Sequence, residues 1–185
     1  MKQALLIIDA QQDLIEGSHE ESPVFEKEQL LHTINKVIEK AMKENVSIVF
    51  IRDLDVSNGE GTGFQVHQAI HVPSSAVTFD KAATNSFYGT PLTAYLTENK
   101  IEHLVIMGCK TEHCIDTAVR TATINHFDVT LVGDGHSTSD SKVLSAEQII
   151  LHHNETLHGH YNVDNFSLVR HSHEDLFNPV HNEHR

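Results

Sequence analysis

The chain has 185 residues, enough for one domain with a substantial buried core, and no linker-like break divides it. Its 13 Lys and Arg against 26 Asp and Glu give a net charge of −13 with neutral histidines, which argues against nucleic acid or an anionic membrane surface as a partner. No apolar run approaches the ~18 residues of a membrane span, the apolar start is too short for a secretory leader, and two cysteines make no disulfide framework, so a cytoplasmic protein is expected.

Ala4 to Ile8 is a continuous apolar run ended by Asp9, the pattern of a strand buried on both faces. Between Phe25 and Lys43, Leu30, Leu31, Ile34, Val37, Ile38, Ala41 and Met42 recur at helical spacing with Glu and Lys opposite, which predicts an amphipathic helix. Val46 to Ile51 predicts a second buried strand, closed by Arg52-Asp53-Leu54-Asp55. Val56 to Ser75 is rich in Gly, Ser and His and reads as a long irregular excursion, a kind of loop that is usually functional or disordered. Val77 to Phe79 forms a short third strand, followed at once by Asp80-Lys81. Thr90-Pro91 starts a helix that carries Leu92, Tyr95 and Leu96 inward to about Lys100.

Leu104 to Met107 predicts a fourth strand that stops at Gly108. Thr111 is an N-cap residue type three places before Cys114, so a helix to about His126 carries Cys114 in its first turn. Phe127 to Val132 is the fifth strand, Ser145 with Gln148 forms a capping box for a helix to about His158, and Phe166 to Val169 is the sixth strand. His171 to Arg185 reads as a polar, His-rich, partly disordered tail outside a domain of residues 1–170. The sixteen histidines are scattered, and His152/His153, His171/His173, His181 and His184 lack the spacing of one metal site.

This alternation of strands and helices predicts a three-layer, doubly wound α/β domain of about six mostly parallel strands with helices on both faces. Such sheets bind ligands beyond the carboxyl ends of strands, where the strand order reverses. Asp9, Asp53, Lys81 and the turn from Cys109 to Cys114 all fall at strand ends of that polarity. A thiol in the first turn of a helix faces unpaired N–H groups and the positive end of the helix dipole, which favour a thiolate. Each residue also has a plainer reading: Cys114 as a small buried hydrophobe, Lys81 as a surface lysine, Asp9 as a turn cap.

Three segments carry a resemblance that favours the chemical reading. Leu6-Ile7-Ile8-Asp9-Ala10-Gln11-Gln12-Asp13-Leu14, Lys81 with Asn85-Ser86-Phe87-Tyr88-Gly89-Thr90, and Gly108-Cys109-Lys110-Thr111-Glu112-His113-Cys114-Ile115-Asp116-Thr117-Ala118 resemble, in order and spacing, the isochorismatase-like cysteine hydrolases. That family includes nicotinamidases and N-carbamoyl-amine amidohydrolases. The resemblance implies a catalytic triad of Asp9, Lys81 and Cys114, a cis peptide between Cys109 and Lys110, and an oxyanion hole from the backbone N–H groups of Lys110 and Cys114. It also suggests Gln11, Phe64, Phe87 and His113 around a small-molecule substrate, no cofactor, and a homo-oligomer, dimer or tetramer.

The implied activity is metal-independent hydrolysis of a C–N bond in a small amide or carbamoyl compound through a Cys114 thioester. Nicotinamidases carry Asp-x-His and further histidines that hold a metal; here the segment is Asp53-Leu54-Asp55, and His67 and His71 fit poorly. Zinc prefers nitrogen and sulfur ligands, so no metal is expected. Two alternatives stay open: a metal-bearing nicotinamidase-type amidase, and a non-catalytic redox module using Cys109 and Cys114.

Overall fold

The computed structural model describes residues 1–19, 21–178 and 180–185. Its frame is a parallel sheet of β1 (Gln3–Ile8), β2 (Ser47–Asp53), β3 (Val77–Lys81), β4 (His103–Cys109), β5 (Asp128–Ser137) and β7 (Asn165–Arg170), to which the two-residue β6 (Tyr161–Asn162) adds antiparallel at one edge. The spatial order is β3-β2-β1-β4-β5-β7-β6. Chain direction across the sheet therefore reverses between β1 and β4, and the carboxyl ends of those two strands flank the switch point. The six parallel strands match those expected; β6 is an addition, and the ends of β3, β4 and β5 run a few residues beyond the apolar runs.

β1 lies inside the sheet between β2 and β4, and the alternation of its side chains builds two cores. Ala4, Leu6 and Ile8 face one layer with Leu92 and Leu96 of α4 (Leu92–Glu98) and Ala118, Val119 and Ala122 of α5 (Asp116–Ile124). Leu5 and Ile7 face the other, against Ile34, Val37 and Ile38 of α2 (Lys27–Lys43). Each fully buried Leu or Ile stabilises by roughly 1.5–3 kcal/mol, which explains why β1 carries no polar residue between Ala4 and Ile8. α6 (Ala146–Leu157) begins with the expected capping box, Ser145 accepting from the Gln148 N–H while Gln148 reaches back to the Ser145 N–H.

Two short helices, α1 (Gln12–Glu16) and α3 (Gly61–Phe64), lie where the sequence gave no periodic signal. Each is about one turn long, too short for apolar periodicity to register. They pack together: a Cβ at Gly63 would lie 1.9 Å from Asp13 Oδ2. Gly108 is under a stronger constraint. Its φ is +125°, and a Cβ there would lie 1.9 Å from the Ile8 carbonyl oxygen, so only glycine lets β4 run this close to β1 at the switch point. No helix of the described residues is long and apolar enough to cross a membrane.

The C-terminal segment departs from its reading as a loose tail. Leu176 is buried in the α2-side core, and Ser172 donates through both its N–H and its hydroxyl to Asp134, at 2.7 and 2.6 Å. His181 is 1% exposed, with Nε2 2.9 Å from the Val129 carbonyl oxygen and its ring against Phe166 and His103. One serine, one leucine and one histidine that dock within a polar stretch give no periodicity, so the docking leaves no trace in the sequence. Deleting residues 171–185 is expected to lower stability by about 3 kcal/mol or more in urea unfolding, whereas removing a loose tail would leave the midpoint unchanged.

Candidate active site

The site forms at the switch point from three strand ends and one turn. Asp9 follows β1 with φ 50°, a left-handed turn that takes the chain out of the strand, and its N–H donates to the Ile51 carbonyl at 2.9 Å. Lys81 ends β3 and is in register with Asp53, which ends β2. Adjacent strands are ~4.8 Å apart, so Lys81 starts roughly 10 Å from β1. A long side chain is needed to reach across β2. Its ammonium does so with no solvent exposure: Nζ lies 3.0 Å from Asp9 Oδ2, 3.4 Å from Cys114 Sγ, and donates to Asp53 Oδ2. Beyond the ion pair with Lys81, both Asp9 oxygens are buried with no hydrogen-bond partner among the described residues.

Cys114 is carried on a π-turn, Thr111–Ile115, that runs directly into α5. The Ile115 N–H donates to the Lys110 carbonyl at 3.2 Å, an i→i−5 bond, and the peptide between Cys109 and Lys110 is cis, as the resemblance implied. π-turns inside helices occur often at functional sites. The expected cap is different. Lys110, not Thr111, is the residue before the turn, and Thr111 turns its hydroxyl to His136 Nδ1 at 2.8 Å.

The electrostatics correct the expectation of a resting thiolate. Burial and the neighbouring Asp9 push the Cys114 thiol up to about 12, and the pull of Lys81 does not offset them. Two carboxylates and one ammonium already sum to −1, so a thiolate would be a second uncompensated negative charge in a dry site. Burial also raises Asp9, to about 6, against the opposing effect of Lys81 and Cys114. For Lys81 burial works against the charge, yet Asp9, Cys114 and Asp53 hold the ammonium well above the usual lysine value. The resting cluster near neutral pH is thus a thiol beside two carboxylates and an ammonium.

Asp53, which sequence reasoning placed on the strand-end rim but left out of the triad, is the direct partner of Lys81. Its strand-end position was visible, but its register with Lys81 was not. Gln11 holds it in place: the Gln11 amide donates to the Asp53 and Phe64 carbonyls at 3.1 and 2.8 Å and accepts from the Asp53 N–H at 2.7 Å. Both ends of that amide are therefore engaged by backbone. Phe64 is buried with the Arg52 guanidinium 4.3 Å from its ring centre. Phe87 packs against the core cluster that contains Cys114 and stacks on Phe127, and His113 is exposed. Beside Asp53 opens a cleft of ≈ 470 Å³ lined by Asp13, Leu14, Ser18, Glu21, Asp53, Asp55, Val56, Ser57 and Asn58.

Ligand atoms of Asp9, Asp53 and Cys114 lie within 4.8 Å of one another, close enough to hold an ion. The Lys81 ammonium occupies that position, in contact with all three. His67, a candidate ligand by sequence, instead bonds Glu16 through Nε2 at 2.9 Å and accepts from the Ala69 N–H through Nδ1 at 3.1 Å. The residues present do not fit a nicotinamidase-type metal. Cys109 belongs to the α2-side core while Cys114 belongs to the α5-side core, and both are free thiols. Burial pushes the Cys109 thiol far up.

Fold and cluster together define a doubly wound α/β protein with a thiol, two carboxylates and an ammonium gathered at its strand-end rim. The chain belongs to the isochorismatase family, since the model of the isochorismatase domain matches residues 3–149. It is 26% identical over 138 residues to YrdC, an uncharacterized isochorismatase family protein of Bacillus subtilis, covering 72% of each chain. The crystal structure of an isochorismatase family protein superposes with a TM-score of 0.82 at 27% identity, covering 91% of this chain and 97% of that one. N-carbamoylsarcosine amidase from Thermoplasma acidophilum shares the fold with a TM-score of 0.73 at 21% identity, over 95% and 99% of the two chains.

The raised Asp9 carboxyl makes a stability prediction. A folded-state value of about 6 against 3.8 favours the folded state below pH 4, and that contribution is lost as pH rises through 6. Between pH 4 and pH 8, urea unfolding should show the stability of wild type falling by about 3 kcal/mol relative to Asp9→Asn.

Proposed function

We propose that the protein is a metal-independent cysteine hydrolase that cleaves the C–N bond of a small amide or carbamoyl compound. The observation that carries this reading is the Lys81 ammonium, 3.0 Å from Asp9 and 3.4 Å from the Cys114 thiol, at the switch point of the sheet. Asp9 is the base. Because the thiol is held near 12 and Asp9 near 6, the proton does not move ahead of the reaction. It passes to Asp9 as sulfur attacks the carbonyl carbon, when the negative charge moves on to the carbonyl oxygen and away from the carboxylates.

The Lys110 and Cys114 backbone N–H groups are the donors we assign to that oxyanion; losing one such donor typically costs ~100-fold or more in rate. Collapse of the tetrahedral adduct breaks the C–N bond, and the Asp9 carboxyl protonates the departing ammonia or amine. Water then attacks the thioester carbonyl, Asp9 takes its proton, and cleavage of the C–S bond releases the acid and returns the proton to sulfur. Lys81 keeps Asp9 ionised between these steps and Asp53 keeps Lys81 charged. Asp13, Glu21, Asp53 and Asp55 at the cleft disfavour an anionic substrate, so a neutral or cationic amide is the best fit.

Ammonia or amine release from a panel of small amides and carbamoyl compounds is the test. Cys114→Ala is expected to lower kcat by at least about 1,000-fold, and EDTA to leave the wild-type rate unchanged. No Cys114-dependent turnover of any compound, or activity restored only by added metal, would remove the reading. Since Asp9 must be ionised, kcat/KM should fall about tenfold per pH unit below a midpoint near 6. A rate flat from pH 7 to 5 would take the base role from Asp9.

A further inference from the structure

We propose that His136 is a positioning residue for Cys114, acting through its bond to the Thr111 hydroxyl at the start of the turn that carries the thiol. The proposal rests on Cys114 being the reactive thiol of the reading above. It begins with a register break. Ile106 of β4 pairs with Leu131 of β5 and Gly108 with His136, so Met107 alone on β4 faces residues 132–135 on β5. The excess residues bulge and bring His136 level with the end of β4, behind the π-turn.

Both partners are dry: His136 is 3% exposed and Thr111 0%. The direction of each bond follows from the network. Asn154 Nδ2 donates to the Gly133 carbonyl at 2.9 Å, which leaves its Oδ1 to face His136 Nε2, also at 2.9 Å. Nε2 therefore carries the proton. In the neutral ring Nδ1 is then an acceptor, and the Thr111 hydroxyl donates to it at 2.8 Å. Burial favours that neutral form, pulling the imidazole down to about 4, with His153, Asp134 and His171 the charged or titratable groups around it.

The two ring nitrogens are thus spent on α6 and on the turn, and neither reaches the carboxylates or the ammonium. What the ring controls is orientation. Thr111 is the first residue of a five-residue turn, and fixing its side chain fixes where the turn starts. A second tie, Thr138 Oγ1 to Glu112 Oε1 at 3.0 Å, holds the next residue from the same end of β5. With its first residue released, the turn loses the constraint that keeps Sγ 3.4 Å from Lys81 Nζ.

The test needs no substrate: the rate at which iodoacetamide alkylates Cys114, located by peptide mass, with thermal unfolding of each variant alongside. Asn places Oδ1 where the imidazole has Nδ1 and still accepts from Thr111. Gln places its NH₂ where the imidazole has Nε2, keeping Asn154 and losing Thr111. His136→Gln and Thr111→Val should each raise the rate about tenfold, because a released thiol escapes the burial and the Asp9 charge that hold it protonated, and together no further, because they remove the same bond. His136→Asn and Thr111→Ser should stay within about twofold of wild type. Thr111→Val at or below the wild-type rate, equal gains in the Asn and Gln variants, or additive gains would overturn the proposal. If a His136 variant does not fold, the Val and Ser pair at Thr111 decides alone. These rates stand apart from hydrolysis, so failure of every amide to turn over would remove the proposed reaction and leave this result intact.

Discussion

One buried ammonium organises this molecule. Lys81 reaches from β3 across β2 to touch two carboxylates and a thiol that come from three other places in the chain. An isolated charge in such a site would neutralise itself by shifting its pKa. Here the pairing is strong enough to keep the lysine protonated despite burial. If the ammonium were absent, two carboxylates would face each other in a dry site and one would have to take up a proton. The strand order, the register of Asp53 with Lys81 and the left-handed turn at Asp9 all serve to bring these groups together.

The charge arithmetic also decides how the proposed chemistry has to run. A helix N-terminus and a nearby lysine suggest a pre-formed thiolate, but burial and the Asp9 carboxylate outweigh them and the resting group is a thiol. A neutral thiol in a buried site costs little desolvation and is protected from casual oxidation. Its nucleophilicity is released only when a substrate carbonyl is present to accept the charge. Cys109, at the end of β4 in the α2-side core, is more deeply buried.

The sequence made the sheet legible because buried parallel strands are short continuous apolar runs, and Ala4 to Ile8 and Leu104 to Met107 are that. Asp9, Lys81 and Cys114 were legible from strand-end position together with the family resemblance. What stayed hidden depends on register or on single contacts. The pairing of Asp53 with Lys81 needs the β2–β3 alignment. The docking of Leu176 and His181 leaves no periodic trace. Thr111 looked like a cap because its residue type and position suit one, whereas a buried histidine across the bulge in β5 claims its hydroxyl. Gln11, which the resemblance placed around the substrate, has its amide engaged by the backbone that carries Asp53.

The close approach at Gly108 bears on how such a scaffold diversifies. With no room for even a methyl group between β4 and the Ile8 carbonyl, the floor of the crevice cannot widen or shift without breaking the sheet. In the proposed reaction the spacing of Asp9, Lys81 and Cys114 is therefore held as a fixed unit. Variation in what the protein accepts has to come from the walls, the segments around Leu14 and from Leu54 to Phe64, whose short helices and turns can change length without moving a strand. Conservative chemistry and changeable selectivity are in this way assigned to different parts of one chain.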